Sequence, residues 1–177
     1  MRPEALERVK LVFTLLDADG SGRLEKGDFN LMARRVIEVA PSAAHEAKER
    51  MIRAFERYWS TLRSELDAND DGMVTLDEFT ACVLSPERFE ETSSQFAQAL
   101  VGLGDPGGNG RVCRSTFMAL MTAMGFGSTN TSVLYDALGP AEDEQISAVD
   151  WIKALNEYYQ PEAAGIAVDH LVRIPAV

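Results

Sequence analysis

Thiols, imidazoles and basic residues are all scarce in this chain of 177 residues. Cys82 and Cys113 are the only cysteines and lack Cys-x-x-Cys spacing, so they read as reduced thiols in a cytoplasmic protein. The two histidines, His45 and His170, lie in unrelated segments, no nucleophile is flanked by a base, and Cys82 falls on a core face, so catalysis is not expected. Lys and Arg number 17 against 28 Asp and Glu, for a net charge of -11. That balance argues against nucleic acid or a polybasic membrane anchor, and it favours a cationic partner. The opening "MRPEALERVK" has no apolar stretch of the kind found in secretory leaders, and no run approaches the length of a bilayer span. A soluble monomer without a membrane span is expected.

What is present is repetition. Taking Asp17 as the first position of a polar loop, Val9, Val12, Phe13 and Leu16 precede it on one helical face. Leu24 sits at its eighth position, and Phe29, Met32, Ala33 and Val36 follow on a second face. The template fits again at Asp67, with Trp59, Leu62 and Leu66 before, Val74 inside, and Phe79, Cys82 and Val83 after; Arg63 takes one expected apolar place. A third copy at Asp105 uses Ala97, Leu100 and Val101, then Val112, then Phe117, Leu120, Met121 and Met124. A fourth, starting at Gly139, uses Leu134, Tyr135 and Leu138, then Ile146, then Trp151, Ala154, Leu155 and Tyr158. The expected fold is all-α, with four helix–loop–helix units in two paired lobes. The eighth loop residues should meet in short antiparallel bridges, Leu24 with Val74 and Val112 with Ile146.

The wide gap before the second unit reads as a long helix running to about Leu66, with Ser42 as its N-cap. Pro86 disfavours helical geometry at Ser85 and then suits the first turn of the next helix. The chain divides accordingly into a pair of units at 1–84, a second pair at 85–160, and a tail at 161–177.

Ca²⁺ takes six to eight oxygens, which a twelve-residue loop supplies from positions 1, 3, 5, 7 (a carbonyl), 9 and 12, with glycine turning the chain at 6. "DANDDGMVTLDE" meets each requirement: Asp67, Asn69, Asp71, the Met73 carbonyl, Thr75, and Glu78 offering two oxygens, with Gly72 at the turn. "DADGSGRLEKGD" offers Asp17, Asp19, Ser21, the Arg23 carbonyl and Glu25 around Gly22, but closes on Asp28, one methylene short of Glu. Only the carbonyl of Arg23 is needed, so its side chain is free to point to water. Two arrangements are open at Asp28. The loop contracts and Asp28 still binds through both oxygens, or Asp28 binds through one and the shell is six-coordinate and tolerant of Mg²⁺. The second arrangement is expected, and on it Asp28→Glu should raise Ca²⁺ affinity and sharpen discrimination against Mg²⁺. The third loop has Gly107 at position three and Thr116 at position twelve. The fourth has Gly139 and Ala141 at positions one and three and Glu144 at the turn. Neither is expected to hold an ion, so two Ca²⁺ are expected, both in the first pair.

The two complete loops are EF-hand loops, and nearly the whole chain resembles the four-EF-hand sarcoplasmic calcium-binding proteins, a family that includes calerythrin. The carrying features are the "DADGSG" loop ending in Asp, the long insertion before the second unit, and the chain length. The resemblance implies one compact body, at least one degenerate hand, and Ca²⁺/Mg²⁺ buffering inside the cell. Family members often keep a working third site, which this sequence does not support. Two other readings stand beside the buffer. One is a Ca²⁺ sensor that exposes an apolar groove, to which Met118, Met121 and Met124 could belong, to a target protein. The other is a small-chromophore binder using Trp59, Trp151, Tyr135 and Tyr158, as luciferin-binding relatives of the fold do. The apolar tail "GIAVDHLVRIPAV" is expected to fold back and plug such a groove, which suits a buffer.

Overall fold

In the computed structural model, residues 1–66 and 71–172 are described. Pro3 starts α1 (Pro3–Leu16), where its missing N–H costs nothing, and Asp17 ends it. After the first loop comes α2 (Lys26–Glu38), whose start is tied by the Asp28 carboxylate accepting the Glu25 N–H at 2.8 Å. The second unit is α3 (His45–Leu66) and α4 (Leu76–Val83), and α4 opens with a reciprocal Thr75–Glu78 cap. Pro86 occupies the first turn of α5 (Pro86–Gly104) behind an extended Ser85, as its ring requires. The third loop leads through β1 (Arg111–Cys113) into α6 (Arg114–Ala123); α7 (Ser128–Ala137), β2 (Gln145–Ser147) and α8 (Ala148–Glu157) complete the fourth unit.

One expectation fails at the head of α3. The Ala47 and Lys48 amides bond back to the Ala44 carbonyl, so Ala44 holds the cap position and not Ser42. Ser42 is committed elsewhere, inside a turn closed by the Ala43 N–H on the Ala40 carbonyl at 3.1 Å.

The loops pair as their apolar eighth residues require. Leu24 and Val74 exchange two backbone hydrogen bonds of 2.9 Å in an antiparallel bridge, and β1 pairs with β2 so that Val112 faces Ile146. All four of these side chains are fully buried. The aromatic after each loop, Phe29, Phe79, Phe117 and Trp151, is buried as well, and one continuous apolar cluster runs from Ala5 in α1 to Leu171 in the tail. Val12, Leu138 and Leu155 sit half-buried at its margin. Met121 and Met124 are inside it. The side chain of Leu66 lies outside the described residues.

The tail returns to the body as a single 3₁₀ turn (Ala167–Leu171) that buries Val168 and Leu171 against α7, α8 and α1. A fully buried arginine holds it there. Arg8 Nη1 meets Asp169 Oδ1 at 2.5 Å, Nε donates to the Tyr158 carbonyl at 2.6 Å, and Nη2 donates to the Gln160 carbonyl at 3.0 Å. Both terminal nitrogens also reach the Ala163 carbonyl, and the Tyr158 hydroxyl donates back to the Arg8 carbonyl at 2.8 Å.

Candidate cation site

Asp17 ends α1, and Asp28 lies in the first turn of α2. The loop between them brings one carboxylate oxygen each from Asp17, Asp19 and Asp28 within 4.8 Å of one another. The turn is made by Gly22, whose φ of 79° lies in the left-handed region that glycine enters without a Cβ penalty. Chain direction is locked by the carboxylates themselves. Asp17 accepts the Ser21 and Gly22 amides at 2.9 and 2.8 Å, and Asp19 accepts the Ser21 amide at 3.0 Å. The Ser21 hydroxyl donates to the Arg23 carbonyl at 2.9 Å, which places the fifth and seventh ligand positions side by side. Glu25 is exposed and stands outside the cluster of three.

Asp28 is buried, with each oxygen anchored to a different end of the loop: Oδ1 accepts the Ala18 amide at 3.1 Å and Oδ2 the Glu25 amide at 2.8 Å. Burial raises its pKa, the two amides pull it back, and the neighbouring charges of Asp19 and Asp17 raise it further. Asp19 is lowered, first by the Ser21 hydroxyl and then by the Ser21 amide. No Lys or Arg among the described residues pairs with any of the three acids. A donor set of hard anionic oxygens without nitrogen or sulfur suits hard cations such as Ca²⁺, Mg²⁺ or Mn²⁺.

Of the second loop, Asp67 and Asn69 lie outside the described residues. Asp71 is exposed and its Oδ1 accepts the Met73 amide at 2.9 Å, around a Gly72 with φ of 74°. Thr75 and Glu78 form the cap of α4, with Glu78 Oε2 at 2.8 Å from both the amide and the hydroxyl of Thr75.

The third and fourth loops keep the shape without the ligands. Asp105 is occupied by the Asn109 and Gly110 amides at 3.0 and 2.7 Å, and Arg111 pairs with Asp143 of the fourth loop at 2.7 Å. Glu144, standing where the other loops have glycine, still adopts φ of 60°. The Tyr135 hydroxyl donates to its carbonyl at 2.7 Å.

The arginines were the least foreseen part of these loops. Arg23 does not point to water alone: Nη1 lies 3.7 Å from Asp71 Oδ2 and 3.8 Å from Met73 Sδ of the neighbouring loop. The signal was in the spacing, since Arg23 and Arg111 both occupy the seventh loop position. For the chromophore reading, a cavity of about 70 Å³ lies between the two pairs of units, lined by Val12, Leu16, Phe55, Tyr58 and Tyr158 among others. Of the four aromatics proposed for it, Tyr158 alone lines it. Its volume is far below the several hundred Å³ of sites for drug-sized molecules.

Residues 64–84 match the family model described as EF hand. Over 163 residues, 88% of this chain and 92% of the relative, the sequence is 24% identical to calerythrin of Saccharopolyspora erythraea. The fold is similar to that of a Streptomyces coelicolor calcium-binding protein, with a TM-score of 0.72 at 24% identity over 90% of this chain and 99% of the other. It is similar also to calcium-loaded apo-aequorin from Aequorea victoria, with a TM-score of 0.71 at 16% identity over 93% and 94% of the two chains. The chain is thus calerythrin-like in sequence, with the all-α fold of EF-hand proteins. Among the described residues, no helix is long and apolar enough to cross a membrane.

Proposed function

We propose that the chain binds two Ca²⁺ ions, one in each loop of the 1–84 pair, and acts as a cytoplasmic Ca²⁺ buffer. The carrying observation is the convergence of Asp17, Asp19 and Asp28. Three like charges this close repel one another in the absence of a counter-charge, and a dication turns that repulsion into the binding energy of the site. The second ion rests on the ligand pattern from Asp67 to Glu78. In the 85–160 pair, Gly107, Thr116, Gly139 and Ala141 stand at ligand positions and Arg111 holds Asp143, which favours a half that works without metal. The 161–177 tail is assigned the role of a plug. The burial of Met121 and Met124 and the docked tail favour a buffer over a sensor, because both leave less apolar surface for a target helix.

Calorimetric titration with Ca²⁺, with and without millimolar Mg²⁺, tests this alongside a dye that fluoresces on exposed apolar surface. Two sites and no gain in dye signal are expected, and an apparent affinity of one site that falls with Mg²⁺ would mark the first loop as six-coordinate. No uptake, or three or more tight sites, overturns the assignment. A Ca²⁺-dependent rise in dye binding would make the protein a sensor.

A further inference from the structure

In each pair of loops an arginine crosses from one loop to the next. Arg111, seventh in the third loop, meets Asp143, fifth in the fourth, at 2.7 Å; Arg23, seventh in the first, approaches Asp71, fifth in the second, at 3.7 Å. The carboxylates are presented by the same turn, since Asp143 Oδ1 accepts the Gln145 amide at 3.1 Å and Asp71 Oδ1 accepts the Met73 amide at 2.9 Å. The residue after each arginine, Val112 or Leu24, makes the bridge that holds its pair of loops side by side. A crossing repeated in two pairs with different ligands follows from loop register, and is not an accident of one long side chain.

The two carboxylates differ in what else they could bind. Asp143 belongs to a loop with glycine and alanine at the first and third ligand positions, so a guanidinium is its natural counter-charge. Asp71 is the fifth-position ligand of the second Ca²⁺ site, so there a guanidinium stands in competition with an ion. We infer that Arg23, carried by the first loop, sets the Ca²⁺ affinity of the second: it neutralises Asp71 in the metal-free protein and repels the dication that replaces it. This rests on the two-ion reading above. Arg23 and Asp71 keep 51% and 37% of their side-chain surface exposed, so the effect is screened by salt and is modest in size.

The test is Ca²⁺ calorimetry on wild type, Arg23→Gln and Arg23→Lys, at low and high salt, with Arg23→Gln repeated in a Glu78→Gln background that disables the second loop. Gln keeps the backbone carbonyl that position seven offers its own loop. Arg23→Gln should tighten one site by about three- to tenfold at low salt, from the charge removed near a dication, and by less at high salt. Arg23→Lys, which keeps the charge, should stay within about twofold of wild type on the same argument. In the Glu78→Gln background the gain should vanish. An unchanged affinity in Arg23→Gln overturns the inference, and so does a gain that survives the loss of Glu78, which would put the effect on the first loop. A wild-type chain that takes up no Ca²⁺ refutes the two-ion reading itself, and the inference with it.

Discussion

Asp28 shows how one methylene decides what a loop can do. Its two oxygens span from the Ala18 amide to the Glu25 amide, so the short side chain already crosses the loop. That supports the contracted arrangement over the six-coordinate one. A Glu would carry the carboxylate about 1.5 Å further, abandoning one anchor or crowding the ion. Asp28→Glu should therefore weaken Ca²⁺ binding at the first site by about tenfold, close to 1.4 kcal/mol; a tighter site in calorimetry would restore the six-coordinate reading. Glu144 is a second residue held against its preference, at φ of 60° where a side chain is disfavoured. Glu144→Gly should raise thermal stability by about 1 kcal/mol, and a loss on thermal melting would show that its side chain matters more than its backbone. Cys113 is the third case. The Ser115 and Thr116 hydroxyls beside its sulfur bring its pKa down to about 7, so it becomes thiolate as pH rises through neutrality. Its alkylation rate should climb between about pH 6 and 8, and Ser115→Ala should move that rise upward. Buried Cys82 should stay unmodified in the native protein.

At the scale of elements, the helices and their pairing were largely legible, because the apolar positions recur at helical spacing around each loop and every eighth residue is aliphatic. The start of α3 was not. Serine at position 42 carries an N-cap signal, but the turn closed on Ala40 claims it first, a competition that depends on where α2 stops. The Arg8–Asp169 clasp was equally hidden. Arg8 falls among Ala5, Val9 and Phe13 on the buried face of α1, so sequence showed an arginine in an apolar stripe without its partner, which lies 161 residues away. Breaking such a buried pair from one side leaves a stranded charge and costs about 3–5 kcal/mol. Asp169→Ala should therefore lower the melting temperature by roughly 10 °C. The double replacement Arg8→Met/Asp169→Leu should cost less than Asp169→Ala alone, because no charge is left buried. If the double variant proves the worse, the carbonyl contacts of Arg8 outweigh the ion pair.

For the molecule as a whole, the proposed division of labour between the two pairs of units makes the response to metal a test of both. Glu78→Gln removes charge from the position that offers two oxygens to the second ion, so one of the two proposed sites should be lost while the fold persists. Because an ion that binds only the folded state stabilises it by mass action, the rise in melting temperature produced by Ca²⁺ should shrink in that variant. An undiminished rise would remove the second loop from the account. The convergence of Asp17, Asp19 and Asp28 was readable because the loop is local in sequence; the counter-charges supplied by Arg23 and Arg111 were not, because they act across the bridge between loops.

The clasp also has a meaning in time. A ribosome makes α1 well before the acceptors of its buried guanidinium, which lie between Tyr158 and Asp169. Until then Arg8 must remain hydrated, which keeps α1 from settling onto its final packing surface. Since α1 carries Asp17 at its end, the first loop cannot be fully organised on a nascent chain. A nascent molecule should acquire its full capacity for Ca²⁺ only once Asp169 has left the ribosome, and a stalled chain ending before Tyr158 should take up ions poorly.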